Sequence, residues 1–352
     1  MSEVGNKLEL SCPLPVNSSD LVKLAHGSGG RMTDQLIEQT FLANLQSAHL
    51  SEKEDAAVVS FPYSKLAITT DSYVVNPIVF PGGNIGSLAV HGTVNDLSMR
   101  GAKPLFISAG FILEEGFSRS ILETVVKSMN AACNDCGVEL VAADTKVVNK
   151  GCGDKIFINT TGIGAITKDE MPSSSQAKPE DVILCSGDIG RHGMAIMAAR
   201  EGLDLETTIE SDSAPLHEMV SALMEIGASL HVLRDITRGG LASVLNEIAL
   251  ASTVGIEIIE GKIPVEDQVK GACEILGLDP LYVACEGRLV AIVEPDLEEK
   301  ALALMKGSPY GDQAASIGKV VSDHEGRVVM RSLVGGRRIV DKLSGDQLPR
   351  IC

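Results

Sequence analysis

Carboxylates stand at the ends of apolar runs along this 352-residue chain. Asp55 opens "DAAVV", Asp71 closes "ITTDS", Asp96 sits in "VNDLS", Asp144 follows "LVAAD" and Asp235 sits in "LRDITRGG". A single Asp in such a place commonly caps a helix or closes a turn. Several of them, each followed by a loop, supply the oxygen ligands that a hard cation such as Mg²⁺ takes while bridging phosphate oxygens. Glycine-rich turns supply the other half of that chemistry. "HGSGGR" (His26, Gly27, Ser28, Gly29, Gly30) and "TRGG" (Thr237, Gly239, Gly240) both lead into predicted helices, whose free N–H groups favour phosphate. Neither has Walker A spacing, and neither follows a strand as GxGxxG, which disfavours a dinucleotide oxidoreductase.

Other residues bear on chemistry more weakly. Lys146 in "ADTKVV" and Glu286 in "ACEGRL" are charges set in apolar surroundings, where ionisation is readily perturbed. His26 and His91 are candidate polar contacts, whereas His192, His217 and His231 read as structural. Cys133 and Cys136 form a CxxC on the last turn of a helix, but zinc needs two more ligands and no second pair exists, so they read as packing. The sequence closes on "GDQLPRIC", which puts a thiol, Cys352, on a tether.

The elements that must position these residues are legible from periodicity. "RMTDQLIEQTFL" is an amphipathic helix; "AAVVSF", "KLAITT", "KPLFISAGFIL", "VELVAADTKVV" and "DKIFINTTGIGAI" are strands; "GSLAVHGTVNDLSMRG" and "RSILETVVKSMNAACNDCG" are helices. Residues 167–178 are polar with Pro and Ser and suit a linker. Beyond it strands and helices alternate again, so the expected fold is α+β, with two α/β domains of similar element order. The expected division is 1–45, a leader with the glycine-rich loop and helix; 46–166, an N-terminal domain; 178–333, a C-terminal domain; and 334–352, an extended mobile tail.

Composition narrows the function. With 30 basic and 47 acidic residues the net charge is −17, a field that repels nucleic acid and anionic membrane surfaces. A phosphate site in such a chain needs a cation. No stretch approaches the roughly 18–20 apolar residues of a membrane helix, and no signal-peptide pattern is present, so a cytoplasmic protein is expected. Eight scattered cysteines fit a reducing compartment.

The segments "HGSGGR", "EDAAVV", "ITTDSYVVNPIVFPGGNIGSLAVHGTVNDLSMRGAKPLFIS", "AADTKVV", "RDITRGGLASVLNEIA", "ACEGRLV" and the terminal "PRIC" together resemble the HypE family of hydrogenase maturation factors. More broadly the chain is similar to the ATP-binding superfamily of aminoimidazole ribonucleotide synthetase and selenophosphate synthetase. The resemblance implies ATP and Mg²⁺ in a cleft, a homodimer joined through the first domains, and a terminal thiol that is carbamoylated by the partner HypF. The carboxamide would then be dehydrated to a thiocyanate whose cyanide passes to iron on HypC–HypD, for a [NiFe] hydrogenase. It implies Glu286 as general base and Lys146 steadying developing charge. Asp71, Asp96 and Asp235 would hold Mg²⁺ with Asp55 near them. Asn95, Asp144 and the glycine loop would face the nucleotide. The readings against which this stands are a phosphotransferase acting on a free small molecule and a non-catalytic metal or cyanide carrier using Cys352.

Overall fold

The computed structural model describes residues 20–28, 30–52, 57, 59–201, 209–342, 348 and 350–352. The first nineteen residues, Gly29 and Asp55 lie outside the described residues.

The N-terminal half runs α1 (Arg31–Leu36), α2 (Ala48–Glu52), β1 (Leu66–Tyr73), the short pair β2 (Val79–Phe80) and β3 (Gly83–Asn84), α3 (Ile85–Met99), β4 (Ala102–Glu114), α4 (Arg119–Cys136), β5 (Glu139–Val148) and β6 (Ile156–Ile166). Its four-stranded sheet has the order β1-β6-β4-β5, parallel only between β4 and β5. The helix starts are set locally. The Asn84 side chain accepts from the Gly86 N–H at 2.8 Å and the Ser118 hydroxyl caps α4. At Gly86 a Cβ would meet the Val125 carbonyl oxygen at 2.2 Å, so only glycine lets α3 and α4 cross this closely. Helix α3 is buried almost all round, with the sheet on one side and the C-terminal half on the other.

The C-terminal half runs β7 (Val182–Cys185), α5 (Arg191–Glu201), α6 (His217–Leu223), β8 (Leu230–Asp235), α7 (Gly240–Ser252), β9 (Gly255–Ile259), α8 (Asp267–Leu276), β10 (Leu289–Val293), α9 (Glu298–Lys306), β11 (Ala315–Val321), β12 (Val328–Arg331) and β13 (Arg337–Val340). Seven strands form one sheet in the order β13-β12-β9-β11-β7-β10-β8. Strand β10 is buried throughout as Leu-Val-Ala-Ile-Val, the continuous apolar run of a strand covered on both faces.

Three expectations change. Ala57 and residues 59–61 of "AAVVSF" carry no strand; Phe61 instead stacks edge-on against Tyr63. Residues 20–45 are not a separate leader region, because Val22, Leu36, Phe41 and Leu45 share the core of the sheet domain. The expected tail begins too early: Arg337–Val340 pairs with β12 as the sheet's edge, and Leu348 and Ile351 are buried in the same core as α5 and Val283. Two aliphatic side chains in a short polar segment are enough to hold it down.

Candidate active site

Strand β1 delivers Asp71 at the edge of the N-terminal sheet, opposite Thr160 of β6. Helix α3 delivers Asp96, whose carboxylate accepts from the Thr69 hydroxyl at 2.7 Å. Strand β8 ends on Asp235, and the buried turn after Cys285 carries Glu286. These four carboxylates act on one another. Burial, then the charge of Asp96, pushes Asp235 up to about 7. Asp96 is likewise raised, by burial first and then, among the charges raising it, by Asp71. Glu286 is held well above the carboxylate range by burial, then by Asp212, Asp235, Asp71 and Asp96. Its Oε1 is buried without a hydrogen-bond partner.

Cys352 enters this group. Arg238 donates from Nη2 to its sulfur at 3.3 Å, and the thiol responds to Glu286 and Asp71. Burial, then Glu286, pushes the thiol up to about 11. Arg238 stands in "TRGG", between Thr237 and Gly239, directly before α7. Glycine is required there: Gly239 and Gly240 both have left-handed backbone, and a Cβ on Gly240 would meet the Leu281 carbonyl at 2.5 Å.

A loop between the halves sets Glu286. Asn95 donates to the Ala214 carbonyl at 3.0 Å and accepts from the Leu216 N–H at 2.8 Å. His91 meets the Ser213 hydroxyl at 3.1 Å, and burial lowers its pKa to about 4. The loop so held presents Asp212, which accepts from the Glu286 N–H at 3.0 Å. Arg288 lies beside it, donating to Asp188 Oδ1 at 2.6 Å, with Asp212 at 4.0 Å. Asn95 was expected to face a nucleotide; its amide is buried against this loop and ties α3 to the C-terminal half.

The remaining sequence candidates lie elsewhere. Lys146 bonds Asp144 at 2.8 Å, both exposed on β5. In register Asp71, Thr160, Ala109 and Ala143 follow one another across the sheet, so β5 is three strand spacings from β1, about 14 Å. Within one chain, Lys146 does not join Glu286. It lines instead a cavity of about 480 Å³ with Gly27, Thr33, Asp34 and Asp144 over an apolar floor that includes Phe41 and Leu45. His26 is buried, and its Nδ1 accepts from the Lys23 N–H at 2.8 Å. Gly30 precedes α1. Cys133 and Cys136 are core residues with thiols pushed up to about 12 by burial. Cys285, beside Glu286, accepts from the Gly190 N–H at 3.1 Å.

Sequence reading passed over Arg238, Asp212, Asp188 and Arg288; His192, read as structural, is buried and bonds the Ile351 carbonyl. Arg238 had a signal: a cation inside a glycine turn of a strongly acidic chain. The others are brought together only by the fold.

Among the described residues no three His, Cys, Asp or Glu side chains stand ready as a metal cage. The chemistry of the donor set still fits a hard cation. Asp71, Asp96 and Asp235 lie within one another's field, and each raises a neighbour's pKa, a cost that a divalent ion would offset.

Comparisons with known proteins agree with this architecture. Residues 53–166 match the family described as AIR synthase related protein, N-terminal domain, and residues 178–331 its C-terminal domain. The chain is 50% identical over 331 residues to carbamoyl dehydratase HypE of Azotobacter vinelandii, covering 94% of this chain and 97% of that one. A crystal structure of hydrogenase maturation protein HypE in complex with ATP superposes with a TM-score of 0.91 at 48% identity, covering 94% of this chain and 99% of that one. A HypE–HypF complex gives 0.77 at 50% identity, covering 88% and 99%. Among the described residues no helix is long and apolar enough to cross a membrane.

Proposed function

The chain belongs to the carbamoyl dehydratase HypE family of hydrogenase maturation enzymes, and we propose that it uses ATP to dehydrate a carbamoyl group carried on the sulfur of Cys352. The observation that carries this reading is the seat of Cys352 itself, against Arg238 and within the field of Glu286 and Asp71. A carrier that only ferried a metal would have no reason to bring its thiol to a cluster of carboxylates, which repel the thiolate a metal needs.

The overall change is R–S–C(=O)–NH₂ plus ATP giving R–S–C≡N, ADP and phosphate. The carboxamide oxygen attacks the γ-phosphorus and leaves with it; nitrogen loses both protons, one at each stage. An amide oxygen is a weak nucleophile, so placement and proton removal from nitrogen supply the rate. Glu286 is the proposed base: once ionised, a carboxylate with a raised pKa is a stronger proton acceptor than an ordinary one, and a cation held by the neighbouring Asp side chains would favour that ionised form. Arg238, already on the sulfur, steadies the charge that gathers on the adjoining oxygen. Asp71, Asp96 and Asp235 would hold Mg²⁺, with Asp55 near them, and the ion would offset the charge of the transferring phosphoryl group. The turns Gly27–Gly30 and Thr237–Gly240 are proposed to meet phosphate through their N–H groups.

Lys146 and Asp144 fit this reading through a homodimer. If the edge strands β1 and β5 of two N-terminal sheets meet, Lys146 of one protomer comes beside the Asp71 edge of the other. HypF is the proposed source of the carbamoyl group and HypC–HypD the proposed acceptor of cyanide, both in the cytoplasm.

The test is ADP formation by carbamoylated protein. Cys352→Ser is expected to end coupled ADP release while leaving ATP binding intact. Unchanged turnover in that variant would instead favour phosphorylation of a free small molecule.

A further inference from the structure

The last residues are held by contacts that have no part in moving electrons or protons of the reaction. Residues 350–352 lie antiparallel to Val74–Asn76: the Val74 N–H donates to the Cys352 carbonyl at 3.0 Å and the Asn76 N–H to the Arg350 carbonyl at 3.2 Å. Where a further main-chain bond would fall, Arg350 donates from Nε to the Val74 carbonyl at 3.0 Å. Its guanidinium also pairs with Asp154, in the loop between β5 and β6. Arg200 of α5 donates to the Arg350 carbonyl at 2.9 Å and to the Asn76 carbonyl at 2.6 Å, clamping the two segments together. His192 Nε2 lies 2.6 Å from the Ile351 carbonyl, so that nitrogen carries the hydrogen, and Nδ1 accepts from the Ser211 hydroxyl at 2.7 Å. Ile351 and Leu348 are buried in the core. Arg350 itself has left-handed backbone, φ 55°, a conformation that a non-glycine residue keeps only where its surroundings hold it.

From this geometry we propose that Val74–Asn76, Asp154, His192 and Arg200 form a peptide-recognition groove for the chain's own last residues, reading main chain and the Arg350 side chain and so fixing where the Cys352 sulfur stands. The mode is strand addition: main-chain bonds give affinity and one charged side chain gives identity. None of these contacts touches the sulfur, so the groove accepts Cys352 whatever it carries. Asp154 and Arg350 are therefore positioning residues. The inference rests on the proposed self-carried substrate for its purpose, but it concerns docking alone and is tested without ATP or a carbamoyl group.

The experiment is site-resolved alkylation of full-length protein, comparing Cys352 with the exposed Cys152 by peptide mass spectrometry. Cys352 is expected to react more than tenfold slower than Cys152 in the parent protein. Asp154→Ala and Arg350→Ala should each quicken it by about tenfold with melting temperature unchanged, since both side chains are more than a third exposed. Combining Asp154→Arg with Arg350→Asp should recover part of the protection. Equal rates at Cys352 in parent and single variants, or a swapped pair no slower than the singles, would overturn the groove. Loss of ATP-driven dehydration with protection intact would count against the proposed reaction and leave the groove standing.

Discussion

Arg238 reaches the Cys352 sulfur at 3.3 Å, yet the thiol beside it is harder, not easier, to ionise. Burial and the charge of Glu286 outweigh the guanidinium and move the thiol from 9.0 to about 11. A docked tail therefore holds its proton more tightly than a free one. Docking is at full strength below 9.0 and is lost as pH rises through about 11. The rate of Cys352 alkylation against pH should show its midpoint near the upper value. A midpoint at the lower one would mean that the tail spends its time in solvent. A docked thiol that keeps its proton is a weaker nucleophile, so the proposed loading with a carbamoyl group is expected of an undocked tail.

Glu286 bears on stability as well as chemistry. Its pKa is raised by burial and by Asp212, Asp235, Asp71 and Asp96, so the folded protein keeps a proton that the unfolded chain gives up. Stability is lost as pH rises above the ordinary Glu value, and the loss continues up to the raised folded value. Glu286→Gln should melt higher than the parent at pH 8 without divalent cations, and the gap should close toward pH 4. Its dehydration rate should fall by about 10²-fold or more, the usual worth of a general base. Melting curves that keep the same separation at every pH would contradict the assignment of the charge burden to Glu286.

Arg288 balances the buried carboxylates of Asp188 and Asp212. Removing one member of a buried ion network leaves uncompensated charge, so Arg288→Met should cost about 3–5 kcal/mol of unfolding free energy. Denaturant titration measures it. A loss near that of a surface ion pair, under about 1 kcal/mol, would show that water reaches this network.

Lys146 stands on the edge strand β5, whereas Glu286 lies in the field of Asp71 on β1, the other edge of one protomer's sheet. If each site borrows Lys146 from the other subunit, mixing Lys146→Ala with Glu286→Gln, each inactive alone, should restore about a quarter of parental activity, from one intact site in each mixed dimer. No recovery after verified subunit exchange would place Lys146 outside the reaction.

Much of this was legible in the residues. Apolar periodicity located β4, α4, β5 and β6, because each half-buried element repeats at its own period. Asp71, Asp96, Asp235 and Glu286 were each singled out, and the fold brings them into one field. What escaped depended on contacts distant in sequence. Asn95 reads as a polar residue near Asp96, but its partners are Ala214 and Leu216, more than a hundred residues away. "AAVVSF" has strand composition, yet its described residues, Ala57 and 59–61, carry no strand, since a β-rich run needs a neighbour to pair with. The closing segment looked mobile because polar composition hides the effect of two buried side chains, Leu348 and Ile351.

The most direct measurement is the intact mass of protein carbamoylated on Cys352, before and after Mg·ATP. Loading adds about 43 Da, and the dehydration predicted here then removes about 18 Da, one water, in step with ADP. The loss should vanish without ATP and in Glu286→Gln. ATP turned over with the mass on Cys352 unchanged would contradict a substrate carried on the chain's own thiol.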